Sequence, residues 1–247
     1  MTIGVSRGRF RLPFIVGANV IGFVYIAAIL AVACCFLLVL NARLRRKVAG
    51  LVGRVRVLDG MVYVDELTRI GNLRMYVKEI AAAVSHTLRT SEPLTLLLLD
   101  VNEFKAINDE HGHQVGDEAL RFIAERLFTS FRPTDTVCRI GGDEFAVIMR
   151  DCDLVGAQAA TARFVSRLAS SPLETDTGRI PIRVSIGGTA LGVSRGRVSV
   201  GSVDIGPLLR EAGFLDRVMT AMREAADRNL YAAKERKGED HFPILIE

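Results

Sequence analysis

Between Phe14 and Leu40 the chain carries no charged side chain, and no other feature limits its possible folds as much. The run holds Asn19, Tyr25 and a few small residues among aliphatics. At about 27 positions it is long enough to cross a hydrocarbon layer of roughly 30 Å as a tilted helix. A cleaved leader would have a shorter apolar core, about 7–15 residues, ending at a small-x-small site. Here the run ends Phe36-Leu37-Leu38-Val39-Leu40 and soon meets Arg43. The expectation is one uncleaved transmembrane helix over 14–40, behind a short basic N-terminus at 1–13.

Charge is distributed around this run. No Asp or Glu precedes Asp59, whereas nine basic residues flank the run: Arg7, Arg9, Arg11, Arg43, Arg45, Arg46, Lys47, Arg54 and Arg56. That leaves 23 of the chain's 32 Lys and Arg residues for 59–247, against 28 acids. The pI of about 9.0 is therefore a juxtamembrane property, and no nucleic-acid-binding face is indicated. The basic cluster is denser after the run than before it. This asymmetry predicts a single-pass protein of the cytoplasmic membrane with its C-terminal part in the cytoplasm. The cysteines, Cys34, Cys35, Cys138 and Cys152, contain no CxxC pair. They read as small apolar residues of a reducing compartment rather than a disulfide framework or zinc site.

Val48, Leu51/Val52, Val55, Leu58 and Val62 then recur at spacings of three and four. They predict a helical signalling linker over 41–64, continuing the membrane helix as a parallel coiled coil. Gly50 and Gly53 keep a plain solvated linker helix open as the alternative. From 65 to 247 the pattern is globular. Residues 72–90 predict an amphipathic helix with Met75, Ile80, Val84 and Leu88 on its apolar side. Thr95–Val101 predicts an apolar strand carrying Asp100 at its end. Residues 115–131 predict a helix with Val115, Ala119, Ile123, Leu127 and Phe131 on one stripe. Two short strands, Thr136–Ile140 and Phe145–Met149, flank Gly141-Gly142-Asp143-Glu144 and predict a hairpin. A helix over 154–169, a strand over Pro181–Gly187 and a helix over Leu215–Lys237 complete the order. The fold class is α+β, a ferredoxin-like palm: an antiparallel sheet with helices on one face.

That topology brings two acids together. Asp100 ends one strand and Asp143 lies in the turn of the hairpin beside it. Adjacent strands run about 4.8 Å apart, so two carboxylates at neighbouring strand ends can share a divalent cation. Gly141 and Gly142 allow a tight turn and a close approach of phosphate or ribose to the backbone.

The residues around these acids resemble the GGDEF family of diguanylate cyclases. Arg139-Ile140-Gly141-Gly142-Asp143-Glu144-Phe145 contains its signature. Asp100-Val101-Asn102-Glu103-Phe104-Lys105-Ala106-Ile107-Asn108-Asp109 resembles its D-x-x-x-F-K-x-I-N-D block, and Gly112-His113-Gln114-Val115-Gly116-Asp117 its G-H-x-x-G-D. Asp65-Glu66-Leu67-Thr68, with Asn72 and Arg74, resembles the opening block; Asp227, Leu230, Tyr231, Ala233 and Lys234 resemble the closing one. The resemblance covers about 65–240, and ordered blocks at these spacings are far more specific than one short motif.

The resemblance implies condensation of two GTP into cyclic di-GMP at a homodimer interface, with Mg2+ or Mn2+ as cofactor. Asp100, the Val101 carbonyl and Asp143 would hold the metal. Asn108 and Asp117 would read guanine, with His113 near the nucleotide and Gly142 leaving room for it. Lys105 and Lys234 would face phosphates, and Glu144 is a further acid of the centre. Arg132-Pro133-Thr134-Asp135 is an R-x-x-D nine positions before Gly141, which in the family marks an inhibitory site for the product; Arg163 is a weaker third member. Read residue by residue, Asn108 and Asp109 could form a plain turn and Asp117 could cap the following helix, while Phe104, Phe145 and Tyr231 read as core or wall. The chain departs from the family pattern at Arg69, where Gly is usual, at Leu73, in Lys234-Glu235-Arg236-Lys237-Gly238-Glu239, and in a long Gly/Ser/Val-rich stretch over 192–214. A second reading is a weak catalyst serving as a membrane receptor for cyclic di-GMP.

Overall fold

The computed structural model describes Tyr25, residues 28–30, 37–38, 40–48, 63–176, 178–194, 197–206, 213–235 and 244–246. It divides into two compact units, Met1–Asp59 and Gly60–Glu247. In the first unit the described residues are helical. Their large apolar side chains, Ile29, Leu30, Leu37, Leu38, Leu44 and Val48 among them, are exposed. No helix among the described residues is long and apolar enough to cross a membrane. Most of the span expected over 14–40, and the linker seam beyond Val48, lie outside them.

The second unit is built around one sheet. Its helices are α1 (Leu73–Thr90), α2 (Phe104–His111), α3 (His113–Ser130), α4 (Leu154–Ser170) and α5 (Phe214–Glu235). Its main strands are β1 (Leu94–Val101), β2 (Thr136–Arg139), β3 (Glu144–Arg150), β6 (Val184–Ser194), β7 (Arg197–Val200), β8 (Val203–Asp204) and β9 (Ile244–Ile246). A separate two-stranded ribbon, β4 (Leu173–Thr175) and β5 (Gly178–Ile180), precedes β6. The sheet runs β2-β3-β1-β6-β7-β8, antiparallel throughout, and β9 lies parallel beside the first part of β6.

Helices cover both faces of this sheet, not one. Leu97, Leu99 and Val101 of β1 join Phe145, Val147 and Met149 of β3 against Ala119, Ile123 and Leu127 of α3 and Phe164 and Leu168 of α4. Leu94, Leu96 and Leu98 join Ala146 and Ile148 against Tyr76, Ile80 and Val84 of α1 and Val218, Met222 and Leu230 of α5. The cause is in the sequence of β1. Leu94-Thr95-Leu96-Leu97-Leu98-Leu99 shows no alternation of polar and apolar residues, the mark of a strand covered on both sides. Thr95 is tolerated because its hydroxyl donates to the Cys152 carbonyl at 2.8 Å.

Several boundaries move. The helix expected to start at 115 begins at His113, and the segment before it is a separate helix, α2, where a turn was open. The last expected strand starts at Val184, after Pro181, and runs on to Ser194. Part of the 192–214 stretch is therefore sheet: β6 extends into a ribbon with β7 and β8. Asn72 starts α1 by accepting the backbone N–H groups of Arg74 and Met75 on its side-chain oxygen, at 3.0 and 3.1 Å.

Candidate active site

The register brings the two acids to one end of the sheet. Asp100 lies opposite Glu144 of β3 on one side and Ser185 of β6 on the other. The next residue, Val101, donates its N–H to the Asp143 carbonyl at 3.2 Å. In an antiparallel pair the N–H and C=O of one residue point the same way, so the Val101 carbonyl also turns toward Asp143. Asp100 already holds a cation: Lys234 Nζ of α5 lies 2.7 Å from its Oδ2. Helix α5 reaches that far because it rests directly on β6 at Gly187, where an added Cβ would collide with the backbone of Ala226 and Leu230.

The Gly141–Glu144 turn is held from outside. Arg139 Nε and Nη2 donate to the Gly142 carbonyl at 3.0 and 2.7 Å. Its Nη1 reaches Asp65 Oδ1 at 3.2 Å. Asp65 also accepts the Thr68 hydroxyl and N–H at 2.6 and 2.9 Å. Burial opposes the charge on Asp65, but the Thr68 and Arg139 contacts outweigh it and hold its carboxyl below the ordinary aspartate value. A Cβ at Gly141 would lie 2.6 Å from Glu144 Oε2, so a side chain there would displace that carboxylate. A Cβ at Gly142 would meet nothing within 4 Å, so the turn is open on that side.

Helices α2 and α3 carry the base-reading candidates. Glu103, in a left-handed conformation (φ 58°), starts α2, and Gly112 (φ 87°) separates the two helices. Asn108 is half-buried and packs against Gly116, where any side chain would collide with its Oδ1. Asp117, one residue on, is exposed within the helix. It does not cap α3, whose N-cap is Gly112. Asn108 and Asp109 sit in α2, not in a plain turn. Lys105 and His113 are exposed. Phe145 is fully buried and Phe104 half-buried, whereas Tyr231 is 65% exposed and so is not a core residue.

On the α3–α4 side, Arg132, Asp135 and Arg163 line one small cleft of about 150 Å³, with Met149, Cys152 and Ala160. Asp135 Oδ2 accepts the Arg132 N–H at 2.9 Å, whereas its Oδ1 is buried with no hydrogen-bond partner. Burial pushes the Asp135 carboxyl up, against the Arg132 hydrogen bond and charge.

Arg139 and Asp65 belong to the signature and opening blocks, but no role for them is visible in the sequence. Their 74-residue separation hides the pairing; the only local sign is a cation two positions before the double glycine. The contact of Ser185 with Asn102, 83 positions apart, is hidden in the same way. Arg236, Lys237 and Gly238 of the altered closing block lie outside the described residues, so Lys234 is the one cation of that block that can be placed. Among the described residues no group of three or more His, Cys, Asp or Glu gathers around one point. Two carboxylates and a carbonyl are the hard oxygen donors that Mg2+ or Mn2+ takes when substrate phosphates and water complete the shell; the Lys234 ammonium beside Asp100 shows only that this carboxylate attracts positive charge.

The family model of the diguanylate cyclase GGDEF domain matches residues 62–199. The chain belongs to the GGDEF family. Its GGDEF domain is similar to the response regulator PleD of Caulobacter vibrioides, 38% identical over 130 residues, 53% of this chain and 28% of that protein. It is also similar to the diguanylate cyclase DosC of Escherichia coli, 35% identical over 127 residues, 51% of this chain and 28% of that protein. The chain thus spans little more than a quarter of these relatives' length. Among solved structures, the coiled coil and GGDEF domain of DgcB from Caulobacter crescentus, in complex with c-di-GMP, gives a TM-score of 0.65 at 22% identity, over 84% of this chain and 99% of that one. A sensory box/GGDEF family protein from the same species gives 0.54 at 28% identity, over 70% and 98%. The α+β palm with its antiparallel sheet is thereby the GGDEF fold.

Proposed function

We infer that this protein is a diguanylate cyclase, joining two GTP into cyclic di-GMP with release of two diphosphates. The observation that carries the reading is the meeting of Asp100, Val101 and Asp143 at one sheet end, with Lys234 on Asp100, inside a GGDEF signature. Asp100, the Val101 carbonyl and Asp143 would hold the divalent ion, which when bound supplies charge neutralisation at the triphosphate and lowers the pKa of the attacking 3′-hydroxyl. Lys234 and Lys105 attract phosphate oxygens. Gly142 leaves space beside the turn, and Arg139 fixes the turn's carbonyl so that Asp143 and Glu144 are presented in one arrangement. Asn108 and Asp117, with His113 nearby, face the base: a carboxylate accepts from guanine N1–H and N2–H2, where adenine N1 offers an acceptor. A mismatched buried polar pair costs about 1–3 kcal/mol, enough to favour GTP over ATP strongly.

One domain presents one GTP, so the product requires two copies with their turns facing each other. The apolar run 14–40 and the exposed apolar side chains of the helical residues before Val48 support a membrane anchor that pairs two chains, with the GGDEF domain in the cytoplasm. The cleft of Arg132, Asp135 and Arg163 supports feedback by the product, because Asp135 Oδ1 is a buried acceptor that a guanine donor would satisfy. That same cleft favours the second reading, a membrane receptor for cyclic di-GMP with weak turnover.

The test uses the full chain in lipid nanodiscs with GTP and Mg2+ or Mn2+. Cyclic di-GMP is expected as product, and Asp143→Ala is expected to abolish it. Tight binding of cyclic di-GMP without any turnover would establish the receptor instead.

A further inference from the structure

Ser185 is completely buried in β6, directly opposite Asp100. Its hydroxyl donates to Asn102 Oδ1 at 2.7 Å. Asn102 in turn donates its N–H to the Arg183 carbonyl at 2.9 Å, which carries the β1–β6 pairing one residue beyond the strand. At the next residue, Glu103, the chain turns sharply through a left-handed conformation into α2. Asn102 is thus the last anchored point of the segment that carries Asp100 and Val101. It is also the pivot from which α2 carries Lys105 and Asn108. On the other side of the segment, the Val101 N–H bond to Asp143 is the outermost link to the catalytic turn.

A buried serine has to find a partner, and this one spends its hydrogen bond on the strand end. Without that bond, the Asn102 N–H to the Arg183 carbonyl is the one described hydrogen bond to the β6 side beyond the ladder pairs Asp100–Ser185 and Val101–Val184, just before the turn at Glu103. The Val101 carbonyl is a backbone ligand: it is oriented only as well as the strand end beneath it is fixed.

We propose that the Ser185–Asn102 hydrogen bond is the positioning element that holds the Val101 carbonyl and the Asp100 carboxylate in place as ligands for the divalent cation. The proposal rests on the metal-binding reading of those two residues. Ser185 and Asn102 touch no substrate in this scheme and act through the ligands.

The experiment measures Mn2+ binding by electron paramagnetic resonance on the full chain in nanodiscs, with a non-hydrolysable methylene analogue of GTP present. Thermal unfolding is followed in parallel. Ser185→Ala and Asn102→Ala are each expected to weaken Mn2+ binding by about tenfold or more, the range seen when a ligand's supporting partner is lost. Asn102→Asp, which keeps an acceptor for the hydroxyl, is expected to bind as the wild type does. The double alanine variant should be no weaker than the weaker single variant, because the two residues act as one unit. Asn102→Ala, at a half-buried position, stands as the second probe if Ser185→Ala does not fold. A Ser185→Ala or Asn102→Ala protein that melts earlier yet binds Mn2+ with wild-type affinity overturns the proposal, leaving the pair a structural bond. A wild-type protein that takes up no Mn2+ overturns the metal-binding reading itself.

Discussion

Arg69 is held at φ 63°, in the left-handed region that glycine enters freely and other residues enter at about 1–2 kcal/mol. It stands where the family usually has Gly, and its N–H closes the opening loop on the Asp65 carbonyl at 2.9 Å. Arg69→Gly is therefore expected to stabilise the domain by roughly 0.5–1 kcal/mol after the added backbone entropy of glycine, read by urea unfolding. The neighbouring Asp65 has the opposite character. Its carboxyl is held below the ordinary value of 3.8, so its contribution to stability is complete above that value and is lost as pH falls through the lower folded value. Asp65→Asn should flatten the stability profile in that acid window. Arg139→Lys should lower turnover by at least about tenfold, since a point charge cannot bridge the Gly142 carbonyl and Asp65 at once. Asp135 runs the other way: its raised carboxyl favours the folded state below 3.8, and that advantage is lost as pH rises through the folded value. Asp135→Asn is expected to melt higher than the wild type at neutral pH while binding cyclic di-GMP more weakly; a variant that melts lower there contradicts the assignment. Residues of this kind were legible only where the motif is contiguous. Asp100, Asp143 and Arg132 stand in short signatures, whereas the Arg139–Asp65 and Ser185–Asn102 contacts join positions 74 and 83 apart, and no local pattern encodes them.

Among the elements, α5 is positioned by an absence of side chain. Gly187 lets its backbone sit on β6, and Lys234 reaches Asp100 from there. Gly187→Ala would push backbone against backbone at Ala226 and Leu230, where no flexible side-chain end can give way. A loss of about 3 kcal/mol or more in unfolding free energy is expected, with a fall in GTP affinity as Lys234 is drawn off the site. Gly188→Ala differs, because its nearest contact is the Leu97 side chain, and it should cost less. The long helices α1, α3, α4 and α5 were readable because each presents a sustained apolar stripe. Helix α2 was not: its eight residues bury no side chain, so there was no periodicity to read. The two-sided cover of β1 was visible in its unbroken run of leucines, but an expectation of one helical layer overrode it.

For the whole molecule, the coupling to test lies between the proposed anchor and the proposed pair of GGDEF domains. The seam Val48, Leu51/Val52, Val55, Leu58 and Val62 predicts that two chains hold their GGDEF domains at a set rotation. One residue inserted after Val48 turns everything downstream by roughly 100°, and seven restore the seam to within about 20°. Cyclase output at matched protein level should change sharply with one inserted alanine and return with seven; a flat response across one to seven identifies the linker as a passive tether. The borders of the sheet bear on association of any kind. At one border, Gly71 bridges Cys138 of β2; at the other, β9 lies along the start of β6, β7 takes up its far end, and β8 adds two residues beyond. Among the described residues the outermost strands are short, four residues in β2, two in β8 and three in β9, and short edges are poor templates for a neighbouring strand. Growth by strand addition, the route to fibres, is thereby discouraged.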